Sequence, residues 1–144
     1  MTSLTDPEDN TTPWEFGITG AVYTETITVS SSDLTRTFEY NASGAITRKI
    51  DRNGRVIEYA HDNLLRQTTE EWYDDVDDES ANLTYTTTYN DLGQVVTISD
   101  SSTETDYSYG LFGNLTSTVQ TLDGLTPDVT FAYEYDASCA HPRH

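Results

Sequence analysis

The stretch YNASGAITRKIDRNG, residues 40–54, contains the pattern that decides the fold. Tyr40 is followed four residues later by Gly44, and the aliphatic Ile46 comes two residues after that. The same order of an aromatic residue, a glycine or its substitute, and an aliphatic residue recurs along the chain. We expect the glycine to supply a backbone position with positive φ in a tight hairpin turn between two strands.

Five complete copies and one broken copy keep this spacing, which indicates a repeat architecture. The aromatic anchors are Phe16, Tyr40, Tyr59, Tyr89, Tyr109 and Tyr135. The predicted structural turn positions, one of them in a second turn at residues 51–54, are Gly20, Gly44, Gly54, Asn63, Gly93 and Gly113. Asn63 is accepted as a substitute for glycine because asparagine tolerates left-handed backbone better than most residues.

Residue composition and alternation both indicate strands. The chain has 10 Tyr, 2 Trp and 25 Thr but one Met, so strand formers far outnumber long helix formers. Between Phe38 and Tyr59 the period-two alternation predicts three strands joined by two turns. Phe38 and Tyr40 should share one face of the sheet, with Lys49 and Glu58 on the opposite face. We therefore predict an all-β, antiparallel β-hairpin meander.

Charge excludes several classes of partner. The 144 residues include 7 Lys and Arg against 25 Asp and Glu, for a net charge of −18. Nucleic-acid binding and docking on anionic lipid both need a basic surface, so neither is expected. No stretch approaches the roughly 20 apolar residues of a membrane-spanning helix, and no signal peptide is visible. The single cysteine, Cys139, excludes an internal disulfide.

An acidic segment at residues 73–80 lies in the longest gap between anchors, and we predict an inserted, solvated loop there. Its carboxylates are Asp74, Asp75, Asp77, Asp78 and Glu79. They could hold Ca²⁺, but they lack the residue order of a calcium-binding loop. A solvated run of charge is the favoured interpretation, and no metal site is predicted.

Residues that could carry catalysis are scattered. His61 lies in a predicted turn, and His141 and His144 lie near the end of the sequence, so they form neither a zinc site nor a triad. Cys139 has no partner histidine at a recognisable spacing. We therefore expect no catalytic residue, no cofactor and no enzymatic activity, and an independent hydrolase is disfavoured.

The aromatic residues leave two interpretations open. They could bind sugar if one row of them faced solvent, or they could pack across neighbouring strands. Packing is favoured because five of these ten residues occupy the anchor positions of the repeat. The residues concerned are Trp14, Phe38, Tyr40, Tyr59, Trp72, Tyr89, Tyr107, Tyr109, Tyr133 and Tyr135.

The repeat resembles the YD repeat of RHS-repeat proteins, as in YNASG at residues 40–44 and YNDLGQ at residues 89–94. In this family, YD repeats form strips of β-hairpins that spiral into a hollow shell. The resemblance implies an open, curved or spiralling strip. In bacterial polymorphic toxins and insecticidal toxin complexes the shell encloses a C-terminal effector, and in teneurins a related barrel serves cell adhesion. The repeats themselves are not catalytic.

This resemblance sets the functional expectations. Residues 1–139 are interpreted as about six degenerate YD repeats, and residues 140–144 as a disordered tail. Asp9, Asn63 and Cys139 replace expected glycines. The predicted function is a structural, non-enzymatic segment of a shell wall, and the chain is expected to be a fragment of a longer parent. The expected partners are further YD repeats or an enclosed effector.

The family also implies an extracellular or cell-surface location, although the chain itself shows no export signal. A cell-surface adhesion or carbohydrate-binding module is the alternative function. Gly17 and Gly110 stand where the family pattern has an aspartate, which marks the repeats around them as degenerate.

Overall fold

A computed structural model of the chain describes residues 2–7, 11–18, 20–29 and 32–135. The chain divides into two compact units, Met1–Thr84 and Tyr85–His144. Every regular element in the described residues is a β-strand, and none is a helix. This part of the chain accordingly contains no helix that could cross a membrane.

The first unit is a meander in which each strand pairs antiparallel with the next one along the chain. Strand order follows chain order without a crossover. Short connections make this arrangement possible, because antiparallel neighbours can be joined by a tight turn. The strands are β1 Thr2–Thr5, β2 Thr11–Phe16, β3 Val22–Val29, β4 Ser32–Tyr40, β5 Ile46–Ile50, β6 Val56–His61 and β7 Gln67–Tyr73.

The second unit repeats the design with similarly short connections between its strands. β8 pairs with β9, β9 with β10, β10 with β11 and β11 with β12, all antiparallel. The prediction of an all-β antiparallel hairpin meander is confirmed. The strands are β8 Leu83–Tyr89, β9 Val95–Ser99, β10 Thr103–Tyr109, β11 Leu115–Leu122 and β12 Val129–Ala132.

Few side chains are fully buried among the described residues. Val56 and Ile57, neighbours on β6, are the two buried hydrophobic residues there, with 2% and 7% of their surface exposed. Since successive residues of a strand point to opposite faces, the two cover opposite sides of the sheet. Residues 74–82 connect β7 to β8, and Val76 from this connection lines the same cavity as Val56.

The predicted position of Lys49 is wrong. Lys49 pairs with Phe38 on one side and Ile57 on the other, so it shares a face with both. A β-bulge beside Tyr40 shifts the register, so that Tyr40 pairs with Ile46 although Glu39 pairs with Arg48. One extra residue in a strand moves the following side chains to the other face, and strict alternation cannot reveal it.

Candidate functional site: repeated turns and an aromatic face

One turn geometry occurs six times in the described residues. The amide of position 1 donates a hydrogen bond of 2.8–2.9 Å to the carbonyl of position 5. The amide of position 4 donates one of 2.9–3.1 Å to the carbonyl of position 1. The six five-residue turns are residues 17–21, 41–45, 51–55, 62–66, 90–94 and 110–114. The repeat in the sequence is therefore a repeat of one hydrogen-bonded turn.

Position 4 has a positive φ in all six turns. Five of these positions are the predicted glycines Gly20, Gly44, Gly54, Gly93 and Gly113, with φ between 79° and 86°. The sixth is Leu65, with φ of 62°. A left-handed conformation costs an L-residue roughly 1–2 kcal/mol, so Leu65 is strained where glycine would not be.

The prediction for Asn63 is wrong. Asn63 is position 2 of the turn at residues 62–66, and Leu65 takes the left-handed position. β6 continues to His61, two residues past Tyr59, so spacing counted from the aromatic residue placed the turn too early. A better signal was present in the sequence: Asp62 and Arg66 repeat the Asp-x-x-x-Arg spacing of residues 51–55.

Position 1 caps the turn from its side chain. The Oδ1 atom of Asn41 accepts hydrogen bonds of 3.0 Å from the amides of Ser43 and Ala45. Asp51, Asp62 and Asn90 accept the equivalent pairs of bonds. Asx side chains favour turns for this reason, because they bind backbone amides two or more residues onward.

Two of the turns lack this cap because glycine occupies position 1. They are the turns that begin at Gly17 and Gly110. At Gly110 an added Cβ would lie 2.8 Å from Oδ1 of Asn114, so the Asn114 side chain occupies the space that a capping residue would need. A side chain at position 1 of this turn would therefore require Asn114 to move.

Positions 1 and 5 also pair through their side chains. Nη2 of Arg55 lies 2.7 Å from Oδ2 of Asp51, and Nη2 of Arg66 lies 2.6 Å from Oδ2 of Asp62. The Arg66 hydrogen bond, followed by the backbone amides of the turn, lowers the pKa of Asp62. Partial burial would raise the pKa of Asp51, but hydrogen bonds from the turn amides and Arg55 outweigh it and lower the value. The carboxylates of Asp51 and Asp62 therefore stabilise the turns in which they lie.

Two tyrosine anchors connect one turn to the next. The Tyr40 hydroxyl donates a 2.8 Å hydrogen bond to the carbonyl of Val22, the residue that follows the turn at 17–21. The Tyr109 hydroxyl donates an equivalent hydrogen bond of 2.7 Å to the carbonyl of Val95, which follows the turn at 90–94. In each case the tyrosine ends the strand that enters the following turn. The repeat spacing therefore places a tyrosine hydroxyl where it can donate a hydrogen bond to the backbone that follows the preceding turn.

Four aromatic residues of the first unit share one face, whereas Tyr73 lies on the other face with Val56. Strand register aligns Phe38, Lys49, Ile57 and Trp72 across four strands, and alternation along the strands adds Tyr40 and Tyr59. The indole of Trp72 donates a 2.7 Å hydrogen bond to Glu70 on the same face. Burial, together with the Glu70 charge, raises the pKa of Tyr59. We call this surface the aromatic face of the first unit.

The second unit has an aromatic face of its own. Register and alternation place five tyrosines on one side: Tyr85, Tyr89, Tyr107, Tyr109 and Tyr133. In β10 the residues of this face are half-buried, whereas Glu104, Asp106 and Ser108 on the other side are exposed. Glu104 and Asp106 are the only carboxylates within β8–β12, so the strands leave this aromatic face uncharged.

A row of ion pairs centred on Arg48 lies on the opposite face of the first unit. Arg48 lies 3.5 Å from Glu39 and 3.2 Å from Glu58, its partners on the two neighbouring strands. A shallow cavity of about 150 Å³ beside this row is lined by Arg48, Val56, Glu58, Tyr73, Asp75, Val76, Asp78 and Glu79. Burial and the Glu71 and Glu58 charges raise the pKa of Tyr73.

The acidic connection between β7 and β8 is exposed from residue 74 to residue 80. Within the described ranges no group of three or more His, Cys, Asp or Glu side chains is arranged to hold a metal ion. Asp9, Cys139, His141 and the predicted tail at residues 140–144 lie outside those ranges.

Part of the chain matches a known protein family. Residues 89–126 match the family model of the RHS repeat. This stretch is similar to an RHS repeat. It begins at an aromatic anchor and spans the turns at 90–94 and 110–114, so the family match falls on the repeated geometry described above. The resemblance to RHS-repeat proteins is confirmed.

Solved structures share the fold. The Photorhabdus luminescens Tc holotoxin pore matches with a TM-score of 0.78 at 16% identity, over 93% of this chain and 8% of that chain. TcdB2-TccC3 without its hypervariable C-terminal region matches with a TM-score of 0.65 at 13% identity, over 98% of this chain and 9% of that one. The chain therefore spans less than a tenth of the solved chains that it matches. No curated protein gives a significant match.

Proposed function

We propose that this chain is a structural, non-enzymatic segment of an RHS shell, forming part of a wall that encloses or presents an effector. The observation that carries the proposal is that the sheet of the second unit has unlike faces. In the second unit one face is aromatic and uncharged in its strands, and the other carries the exposed Glu104 and Asp106. A shell wall needs two unlike faces, because its outer face contacts solvent and its inner face contacts the enclosed effector.

Thin burial supports the same proposal. A free-standing domain of this length usually hides a sizeable core, yet Val56 and Ile57 are the buried hydrophobic residues of the described ranges. Repeat architectures instead distribute stability over contacts between neighbours. The six like turns and the tyrosine bonds to preceding turns are such contacts.

The length of the matched structures supports further repeats as partners of this chain. Solved chains that contain this fold are more than ten times longer than the matched part, which favours further repeats on either side of the wall segment. The solved TcdB2-TccC3 structures that share this fold include one with Cdc42. An effector enclosed by the wall and an extracellular location for the parent are part of our proposal for this chain.

The direct test is electron cryo-microscopy of the intact natural protein that carries residues 1–144. The wall proposal expects these strands as one layer of a closed sheet around an internal volume, with the Tyr107 face turned inward. A compact domain with a second layer packed on the Tyr107 face would contradict it. Assays for hydrolase activity on the isolated chain should give no turnover above that of a heat-denatured sample.

A carbohydrate-binding or adhesion module is the second candidate, and one observation favours it. Trp14 and Trp72 belong to a sheet face that is half-buried, so their rings are accessible in part. Sugar binding would quench the fluorescence of these two residues, and a glycan array would return hits. An array without hits, together with unchanged fluorescence at millimolar oligosaccharide, favours the wall.

A further inference from the structure

Three large apolar side chains protrude from adjacent turns of the second unit. Leu92 is 81% exposed, Leu111 is 102% exposed and Phe112 is 98% exposed. They occupy positions 2 and 3 of the turns at 90–94 and 110–114. The two turns touch, because Nε2 of Gln94 donates a 2.8 Å hydrogen bond to the carbonyl of Gly113. We call Leu92, Leu111 and Phe112 the apolar rim.

Charge is distributed unequally between the two ends of these strands. In an antiparallel meander alternate connections lie at the same end, so the turns at 90–94 and 110–114 share one end. These two turns contain a single charged residue, Asp91. The connections at the other end contain Asp100, Asp123 and Asp128, and residues 85–135 contain no Lys or Arg. The apolar rim is thus the nearly neutral end of an anionic unit.

We propose that the apolar rim is a contact surface for a second copy of this chain, packed rim against rim. Fully exposed apolar clusters of this kind mark interaction sites. A two-fold arrangement presents the same patch from both copies, so the rim is its own complement. Contact through the far end or through the Glu104 face would oppose carboxylates without a cation to pair them. This inference goes beyond the proposed wall and holds whether or not the wall encloses an effector.

The size of the rim sets the strength of the contact. An aromatic side chain such as Phe112 buries about 150–250 Å², so together with two smaller leucines the rim offers on the order of 400 Å² per copy. Stable interfaces bury about 800 Å² per partner, and contacts below that size are weak. We therefore expect a reversible dimer that forms at high protein concentration and strengthens as salt screens the net charge of −18.

Sedimentation analysis of the whole chain tests the proposal between about 10 μM and 1 mM protein, a range that brackets weak association. The mass should rise from one chain toward two, and more so at about 1 M NaCl than at about 0.05 M. Leu111→Ser combined with Phe112→Ser should reduce the association constant at least about tenfold. The control is Leu125→Ser, an apolar residue 58% exposed at the other end of the strands, which should change nothing.

Four results overturn the proposal: a monomer under all conditions, a double variant that associates like the parent, an equal loss in Leu125→Ser, or a monomer that binds phosphatidylcholine vesicles through the rim. Because the rim side chains are exposed, the variants should keep the circular dichroism spectrum of the parent. Cross-linking gives a second measurement. In a Cys139→Ser background, Phe112→Cys should give bismaleimide-linked dimers faster than Leu125→Cys, and equal rates contradict the proposal.

Discussion

Gly44 offers the sharpest test of the turn. Its φ is 84°, and a Cβ built there meets nothing within 4 Å, so an added methyl group strains the backbone without a clash. A left-handed L-residue costs about 1–2 kcal/mol, and Gly44→Ala should therefore lower the free energy of unfolding by that amount. In a chain of this size the midpoint of thermal unfolding should fall by about 2–8 °C.

The assay is thermal or urea unfolding followed by circular dichroism, with two matched variants. Gly44→Asn should recover part of the loss, because asparagine tolerates the left-handed region. Gly17→Ala should be neutral or stabilising by up to about 1 kcal/mol, because Gly17 has no positive φ and its added Cβ lies 4.0 Å from the Ala21 carbonyl. If Gly44→Ala leaves unfolding unchanged, or if Gly44→Asn is as damaging as Gly44→Ala, the reasoning is refuted.

Three further predictions concern the same turns. Leu65→Asn should raise the free energy of unfolding by up to about 1 kcal/mol, since it relieves a φ of 62° at a side chain already 48% exposed; a loss of stability counts against the strain. Tyr109→Phe should cost about 1 kcal/mol through the lost bond to the Val95 carbonyl. The control, Tyr107→Phe, should lower the free energy of unfolding by less, and equal losses would show that the Tyr109 hydrogen bond does not stabilise the fold. Asp62 and Asp100 have pKa values held below 3.8, Asp62 chiefly by Arg66 and Asp100 by the Ser102 and Thr103 amides. Their stabilisation is complete above about pH 4 and is lost as the pH falls through the folded-state values, so Asp62→Asn should flatten acid unfolding below that pH.

The fold was predictable because one signal, the aromatic-to-glycine spacing, coincides with one hydrogen-bonded turn. The residue type of Gly44 and Gly93 is enough to predict the left-handed position of their turns, since few other residues adopt positive φ. The spacing from Tyr59 misled at residues 62–66, because β6 runs two residues past Tyr59 and a leucine takes the left-handed position. Period-two alternation misled at Lys49, because the bulge opposite Tyr40 leaves Thr47 of β5 without a partner and shifts the side chains of β5 relative to β4.

The candidate site was predictable in part. The sequence showed the anchors Tyr40 and Tyr109, but it could not show that their hydroxyls reach Val22 and Val95 on the preceding strand. Such bonds depend on strand register and on side-chain direction, which a single sequence leaves open. The apolar rim was equally hidden, because Leu111 and Phe112 read as ordinary hydrophobic residues until the turn exposes them.

The central claim is that the strand register of the first unit aligns Phe38, Lys49, Ile57 and Trp72 on one face of its sheet. Side-chain nuclear Overhauser effects in the isotope-labelled chain test it most directly. The account predicts contacts from Ile57 methyl groups to the Trp72 ring and to the Lys49 side chain, with a positive φ at Leu65. Contacts from Ile57 to residues three or four positions away along the chain, or from Phe38 to Arg48 instead of Lys49, would contradict it.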